Sequence, residues 1–126
     1  MLRKNLPFTF VSLFIQSLNK MCRHKVLVSN FHGYVARCES CSKVQVAFGT
    51  SLFGLNMKEF EVFASYLYSL RAKGDAYGLH EKRIRVNLGG TASLMILTPC
   101  ELENFIEMIE SASIKNLIHE CLANRN

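Results

Sequence analysis

The sequence has few of the features that mark the common catalytic and membrane classes. It contains no Walker loop, dinucleotide fingerprint, H-E-x-x-H motif or nucleophile elbow, the signatures of several large enzyme classes. With seven glycines and two prolines, it also has no low-complexity stretch and no interdomain linker. The apolar run from Leu6 to Ile15 is too short to span a bilayer, which takes about 20 residues. We therefore expect 126 residues built around one core.

Five cysteines are present, an odd number, and they are not spaced as a disulfide framework. Residues 1–15 resemble the charged and apolar parts of a signal peptide, but no small-residue cleavage site follows them. We therefore expect reduced thiols and a cytoplasmic location.

Charge does not single out nucleic acid as a partner. The chain has 15 basic and 10 acidic side chains and a formal net charge of +5. Residues 1–20 hold three of the basic groups, Arg3, Lys4 and Lys20, and none of the acids. The remainder therefore has 12 basic and 10 acidic groups, a net charge of +2, which is too weak to indicate nucleic-acid binding.

The first twenty residues have two interpretations. Met21 is the initiator in one, and residues 1–20 are then an upstream extension. In the other they are translated, and their apolar side chains approximate one helix face: Phe8, Val11, Phe14, Ile15 and Leu18. We expect 1–20 to be an extension outside the native domain and 21–126 to be a single α+β domain.

Two segments share a strand–strand–helix pattern. In the first, alternating apolar residues at 44–49 and a returning run at 52–55 precede a helix that opens at Asn56 and Glu59 as a capping box. In the second, runs at 84–89 and 94–97 precede a helix that opens at Thr98, with Pro99 at its first position. Eight positions of the first segment match the second at an offset of 42: Leu52, Leu55, Asn56, Glu59, Phe60, Phe63, Ala64 and Leu67.

The fold class predicted from this pattern is α+β. We expect a mainly antiparallel sheet built from two β-β-α repeats plus an N-terminal hairpin at 26–37, with the helices on one face. A separate short amphipathic helix is expected at 114–122.

Cys38-Glu39-Ser40-Cys41 lies between two strand-like runs and is the candidate metal site. Two thiolates spaced by two residues at a hairpin tip can bind one metal ion. Cys22 and His24, two residues apart in an extended segment, point to the same side and can complete a tetrahedral Cys3His zinc site. The alternatives are reduced cysteines without metal, or a redox pair. The strand that follows Cys41 argues against the redox pair, which is typical of a helix N-terminus.

Three basic residues, Lys82, Arg83 and Arg85, form a candidate binding set for an acidic partner or a phosphate, although a solvated sheet face is the favoured interpretation. Cys100, in the first turn of a predicted helix, and Cys121, in an apolar stripe, are both expected to be buried.

Two runs carry a resemblance to a known family. The segment His32 to Thr50, which reads H-G-Y-V-A-R-C-E-S-C-S-K-V-Q-V-A-F-G-T, and the segment Glu101 to Met108 resemble a family of small bacterial proteins of unknown function. In that family a G-Y-x-x-x-C-x-x-C run leads into a Q-x-A-F-G-like strand, here Q-V-A-F-G. The resemblance covers about residues 21–112 and implies no catalytic residues.

The function expected from these observations is a non-enzymatic binding domain stabilised by zinc. A protein partner or self-association is the expected mode of binding. The alternatives are a nucleic-acid-associated zinc protein that uses Lys43, Lys82, Arg83 and Arg85, and a thiol-dependent redox enzyme that uses Cys38 and Cys41.

Overall fold

The structure is a computed structural model that describes residues 23–88 and 93–124. Six strands and two helices follow one another along these residues. The strands are β1 (His24–Asn30), β2 (Gly33–Cys38), β3 (Val44–Phe48), β4 (Ser51–Leu55), β5 (Ile84–Asn87) and β6 (Leu94–Leu97). The helices are α1 (Met57–Gly74), between β4 and β5, and α2 (Pro99–Ala123), after β6. The predicted α+β class is confirmed.

All strand pairs are antiparallel and form two sheets. Strands β1 to β4 pair in chain order in one four-stranded sheet, and β5 pairs with β6 in a second sheet of two strands. The separation of the second hairpin from the first sheet is not predicted by the alternating sequence pattern. Each half of the chain nevertheless follows the expected order of hairpin and then helix.

Both helices begin with the capping box that the sequence predicts. The Asn56 side chain accepts a hydrogen bond from the Glu59 amide, and the Glu59 carboxylate accepts one from the Asn56 amide, both at 2.8 Å. Thr98 and Glu101 make the same reciprocal pair at 3.0 and 2.9 Å. Two otherwise unpaired amides are satisfied at each helix start, which fixes where each helix begins.

The core lies between the four-stranded sheet and the helices. Val46 pairs with Phe53, so both side chains, and that of Phe48 two residues further on, lie on the same sheet face. On this face Phe48 stacks on Phe105 of α2 with ring centroids 4.3 Å apart, and Phe53 contacts Phe63 of α1 at 5.3 Å. Both helices therefore pack on one face of the sheet, as predicted.

Helix α2 is longer than the sequence analysis predicts. Residues 110–113 contain neither glycine nor proline, so nothing interrupts the helical hydrogen bonds, and one helix runs from Pro99 to Ala123. No helix in the described part of the chain has the length and apolar character that crossing a membrane requires.

Candidate functional site

The Cys38–Cys41 segment forms a tight turn between β2 and β3. Cys38 is buried at the end of β2, and Cys41 is exposed. The Ser42 amide donates to the Cys38 carbonyl at 2.9 Å, and the Cys38 amide donates to the Lys43 carbonyl at 2.8 Å. The two cysteines therefore lie on a strand–turn–strand motif, the context predicted for a metal-binding turn, and not at a helix N-terminus.

Ser42, directly after the second cysteine, has a left-handed backbone with φ of 61°. This conformation costs a residue with a Cβ roughly 1–2 kcal/mol, and glycine adopts it without that cost. Zinc-binding turns of this type commonly have glycine at the same position. The backbone of the turn therefore has the expected shape although its sequence has serine.

One of the other two predicted metal ligands, His24, lies beside this turn. His24 is the register partner of Cys38 across β1 and β2, and the Glu39 amide donates to the Arg23 carbonyl at 2.7 Å. Cys22 lies outside the described residues. Within 23–88 and 93–124, no three His, Cys, Asp or Glu side chains gather closely enough to hold a metal ion. His24, Cys38 and Cys41 are all described and do not form such a group, so the Cys3His site stays a prediction.

The predicted basic set lies in and just before β5. Lys82 forms an ion pair with Glu101 at 3.2 Å, and Arg83 contacts Glu81 at 3.8 Å while its guanidinium lies 5.8 Å from the centre of the Tyr77 ring. Arg85 projects from the exposed side of β5. Two of the three cations thus have acidic neighbours in the same region, which lowers the charge available to a phosphate.

Glu101 links the cap of α2 to Lys82. The Thr98 backbone amide lowers the pKa of the Glu101 carboxyl, partial burial opposes this shift, and the bond from Lys82 adds to the lowering. The ionised carboxylate is therefore stabilised mainly by the start of α2 and to a smaller degree by Lys82.

The hollow beneath α1, of about 390 Å³, has a mostly apolar lining that includes Phe63 and Tyr66. Lys58 also lines it, and two of its polar residues are engaged within the fold: Glu59 belongs to the α1 capping box, and the Tyr66 hydroxyl accepts a 2.9 Å hydrogen bond from the Asn87 amide. Glu59 and Tyr66 are thus committed to structure and do not converge on a ligand position.

The last turns of α2 carry apolar side chains that face solvent. We call these residues the outer face of α2: Ile114, Leu117, Ile118, Cys121 and Leu122. Ile114, Leu117, Ile118 and Leu122 are 59%, 61%, 54% and 56% exposed, and Cys121 is exposed as well. The expectation that Cys121 is buried is therefore wrong, and so is the same expectation for Cys100, which is exposed in the first turn of α2.

The outer face points away from the sheet. Asn116 is 6% exposed and marks the side of α2 that packs on the protein. At 100° per residue, Ile114 and Ile118 each lie about 160° from Asn116 around the helix axis. The end of α2 is thus apolar on the side opposite its packed side, a pattern typical of a helix covered on both sides.

An ionic contact fixes this orientation. Arg37 of β2 donates to the Asn116 side-chain oxygen at 2.6 Å and to the Glu120 carboxylate at 3.3 Å. The Arg37 side chain is 13% exposed, so its charge is largely removed from water and needs both acceptors. Rotation of α2 that would bury the outer face against the sheet would break both bonds.

A groove of about 320 Å³ adjoins the outer face between β1 and α2. Its apolar lining comes from Val26, Leu27, Ile118 and Leu122, and basic side chains lie at its rim: Lys25, Lys115 and His119. Lys25 Nζ lies 3.4 Å from His119 Nδ1. The groove extends the apolar surface of α2 onto the edge strand of the sheet.

The sequence analysis missed this surface because it assigned the 114–122 stripe to the core. The sequence contained a signal for this surface. Ala112 and Asn116, four residues apart, share one face of the helix, and Ile114 and Ile118 share a different face, so the two pairs cannot face the same way. One of the two stripes had to point outward.

Comparisons with known proteins give a single finding. The model of one protein family, Family of unknown function (DUF6686), matches residues 21–125. No curated protein and no solved structure matches the chain.

Proposed function

The chain belongs to this family of unknown function, and on that premise we propose that it is a non-enzymatic interaction domain that binds a protein partner through the outer face of α2. The observation that carries the proposal is the exposure of four large aliphatic side chains, each more than half exposed, on three turns of one helix. Contiguous apolar surface of this kind marks binding sites in soluble proteins.

Covering the outer face would supply part of the free energy that binding requires. Fully burying one Leu or Ile side chain contributes about 1.5–3 kcal/mol, so covering the exposed half of four such side chains contributes roughly 3–6 kcal/mol. The groove beside β1 adds the exposed surface of Val26, which is 57% exposed. Its basic rim supplies the polar border that surrounds the apolar centre of most interfaces.

A structural zinc ion is the second part of the proposal. Cys22, His24, Cys38 and Cys41 would hold it, and it would join the start of β1 to the turn between β2 and β3. The left-handed Ser42 and the hydrogen bonds that close the turn support this assignment. A zinc ion with four protein ligands has no open position for a substrate, so its contribution is to stability.

Site-specific photo-cross-linking in cells that produce the protein tests the binding surface. A photoreactive amino acid replaces Leu117, at the centre of the outer face, and in a matched variant replaces Lys58, an exposed residue of α1. The proposal predicts a defined adduct from position 117 and not from position 58. Equal labelling at both positions, or no adduct at 117, contradicts it.

A further inference from the structure

The hollow beneath α1 lies between the ends of two strands that belong to different sheets. Leu55, the last residue of β4, and Asn87, the last residue of β5, both line it. The Tyr66 hydroxyl accepts from the Asn87 amide at 2.9 Å and lies 3.5 Å from the Arg85 carbonyl, to which it donates. These backbone groups therefore lie on the edge of β5 that does not pair with β6. Because Tyr66 occupies the edge on which a further strand would pair, the hollow is a built part of the fold.

The lining of the hollow is suited to an apolar chain. Leu55 and Phe63 are buried in the core, at 5% and 4% exposed, while Val62 is 63% exposed. Apolar side chains in an open hollow stay in contact with water that they cannot hydrogen-bond. An apolar group that displaces this water is stabilised by the hydrophobic effect.

Lys58 gives the hollow a cation. In the part of the chain that the structure describes, no acidic side chain lies within ion-pair distance of Lys58. The other charged lining residue, Glu59, already accepts a 2.8 Å hydrogen bond from the Asn56 amide. An unpaired ammonium beside an apolar hollow favours a ligand with an anionic end. Glu59 repels the same anion, so the net gain from the Lys58 charge is small.

We infer that the hollow beneath α1 binds a small ligand that has an apolar chain and an anionic head group, of which a medium-chain carboxylate is the simplest example. The chain would lie against Leu55, Val62 and Phe63, and the carboxylate would lie at Lys58. The volume of about 390 Å³ falls within the range of about 300–1,000 Å³ that small-molecule sites occupy. The hollow shares no lining residue with the outer face of α2, so this site goes beyond the proposed function and is independent of it.

A series of straight-chain carboxylates from butanoate to decanoate tests the apolar part of the site. Each ligand, below its micelle concentration, is titrated into the full chain, and two-dimensional NMR follows the backbone amides. Each buried methylene should raise the affinity about three- to fourfold, and the increase should stop once the hollow is filled. The largest shifts should lie at residues 55–66 and at Asn87. An affinity that does not depend on chain length overturns the inference, and so do shifts centred on residues 114–122.

The head group is tested by a charge-removing variant. Lys58→Gln should lower the affinity for octanoate about three- to fivefold, as expected for an exposed ion pair, and leave the affinity for octan-1-ol unchanged. Lys73→Gln, which removes an exposed cation from the last turn of α1, is the control and should change neither affinity. Equal losses for octanoate and octan-1-ol in Lys58→Gln overturn the anionic head group.

A hollow-filling variant tests the location. Val62→Trp places a large side chain at an exposed lining position, so it should abolish octanoate binding while circular dichroism shows that the helices are retained. Leu117→Ser, on the outer face of α2, is the matched control and should bind octanoate as the unchanged chain does. Loss of binding in Leu117→Ser, or unchanged binding in folded Val62→Trp, overturns the site. None of these outcomes affects the cross-linking test at position 117, so the two proposals fail separately.

Discussion

Arg37 Nη1 lies 2.6 Å from the side-chain oxygen of Asn116, and this contact joins β2 to α2 across 79 positions of the sequence. Asn116 is one of two buried polar residues in the described part of the chain. Its amide accepts from a guanidinium that is itself largely buried, so each group compensates the desolvation of the other. The contact sets the rotation of α2 and thereby directs Ile114 and Ile118 into solvent.

Replacement of Asn116 tests this role. Asn116→Leu removes the shortest bond to the largely buried Arg37 charge and leaves it with Glu120 and a 3.5 Å bond to Ser42 Oγ, so we expect a loss of about 2–3 kcal/mol in the free energy of unfolding. The double variant Arg37→Met/Asn116→Leu should be more stable than Asn116→Leu, because it no longer buries an incompletely paired charge. Urea denaturation measures both values. A double variant less stable than Asn116→Leu would contradict the assigned role.

The helix starts could be predicted because local chemistry determines them. Asn56 with Glu59, and Thr98 with Pro99 and Glu101, satisfy the first amides of each helix within four residues. The apolar stripes were also predicted: Phe60, Phe63 and Leu67 of α1 are all buried. Gly74, the predicted end of α1, is its last residue.

Long-range contacts could not be predicted in the same way. The stacking of Phe48 on Phe105 depends on which sheet face α2 covers, and no local pattern specifies that. The Arg37–Asn116 bond likewise joins two residues that look like ordinary surface positions in the sequence. Cys121 was assigned to the core because it belongs to an apolar stripe. Such a stripe indicates that a helix face is covered, but it does not show whether the covering surface belongs to the same chain.

The left-handed backbone of Ser42 predicts unequal effects for two substitutions. A β-branched residue fits this conformation poorly, so Ser42→Val should lower the free energy of unfolding by about 1–2 kcal/mol. Ser42→Gly relieves the strain but also removes the hydroxyl that accepts a 3.5 Å bond from Arg37; valine removes the same bond and keeps the strain, so the glycine variant should be the more stable of the two by about 1–2 kcal/mol. Ser40→Val, in the same exposed turn, is the control and should change stability by less than about 0.5 kcal/mol. Equal effects of valine at 40 and 42 would contradict this account of the turn.

Glu101 predicts a pH-dependent contribution to stability. Its pKa in the folded protein is lowered from the ordinary value of 4.5, first by the bond from the Thr98 amide. The stabilisation from the ionised carboxylate is therefore fully present above pH 4.5 and is lost as the pH falls below that value. In thermal melts from pH 7 to pH 3, the unchanged protein should have a higher melting temperature than Glu101→Gln at neutral pH. This difference should disappear in acid. Glu107→Gln, on an exposed turn of α2, is the control; a difference independent of pH would contradict the assignment.

Metal analysis tests the zinc proposal. Protein purified without tags or chelators should contain about one zinc ion per chain, and Cys38→Ser should lose it. The core around Phe105 does not depend on the site, so Cys38→Ser should keep its helical circular dichroism while the turn between β2 and β3 loosens. Cys100→Ser, an exposed cysteine at the start of α2, should retain the metal. A chain purified without zinc would leave Cys38 and Cys41 as reduced turn residues.

The most direct test of the central claim compares the alkylation of two exposed cysteines on the same helix. Cys121 lies within the outer face of α2, and Cys100 lies at the other end of the helix. A membrane-permeant maleimide is applied to cells that produce the protein and, separately, to dilute purified protein, and mass spectrometry measures the ratio of labelled Cys121 to labelled Cys100. If a partner covers the outer face, this ratio is at least several-fold lower in cells than in dilute solution. Equal ratios in the two samples would show that the outer face of α2 is uncovered in the cell and would contradict its role as the binding surface.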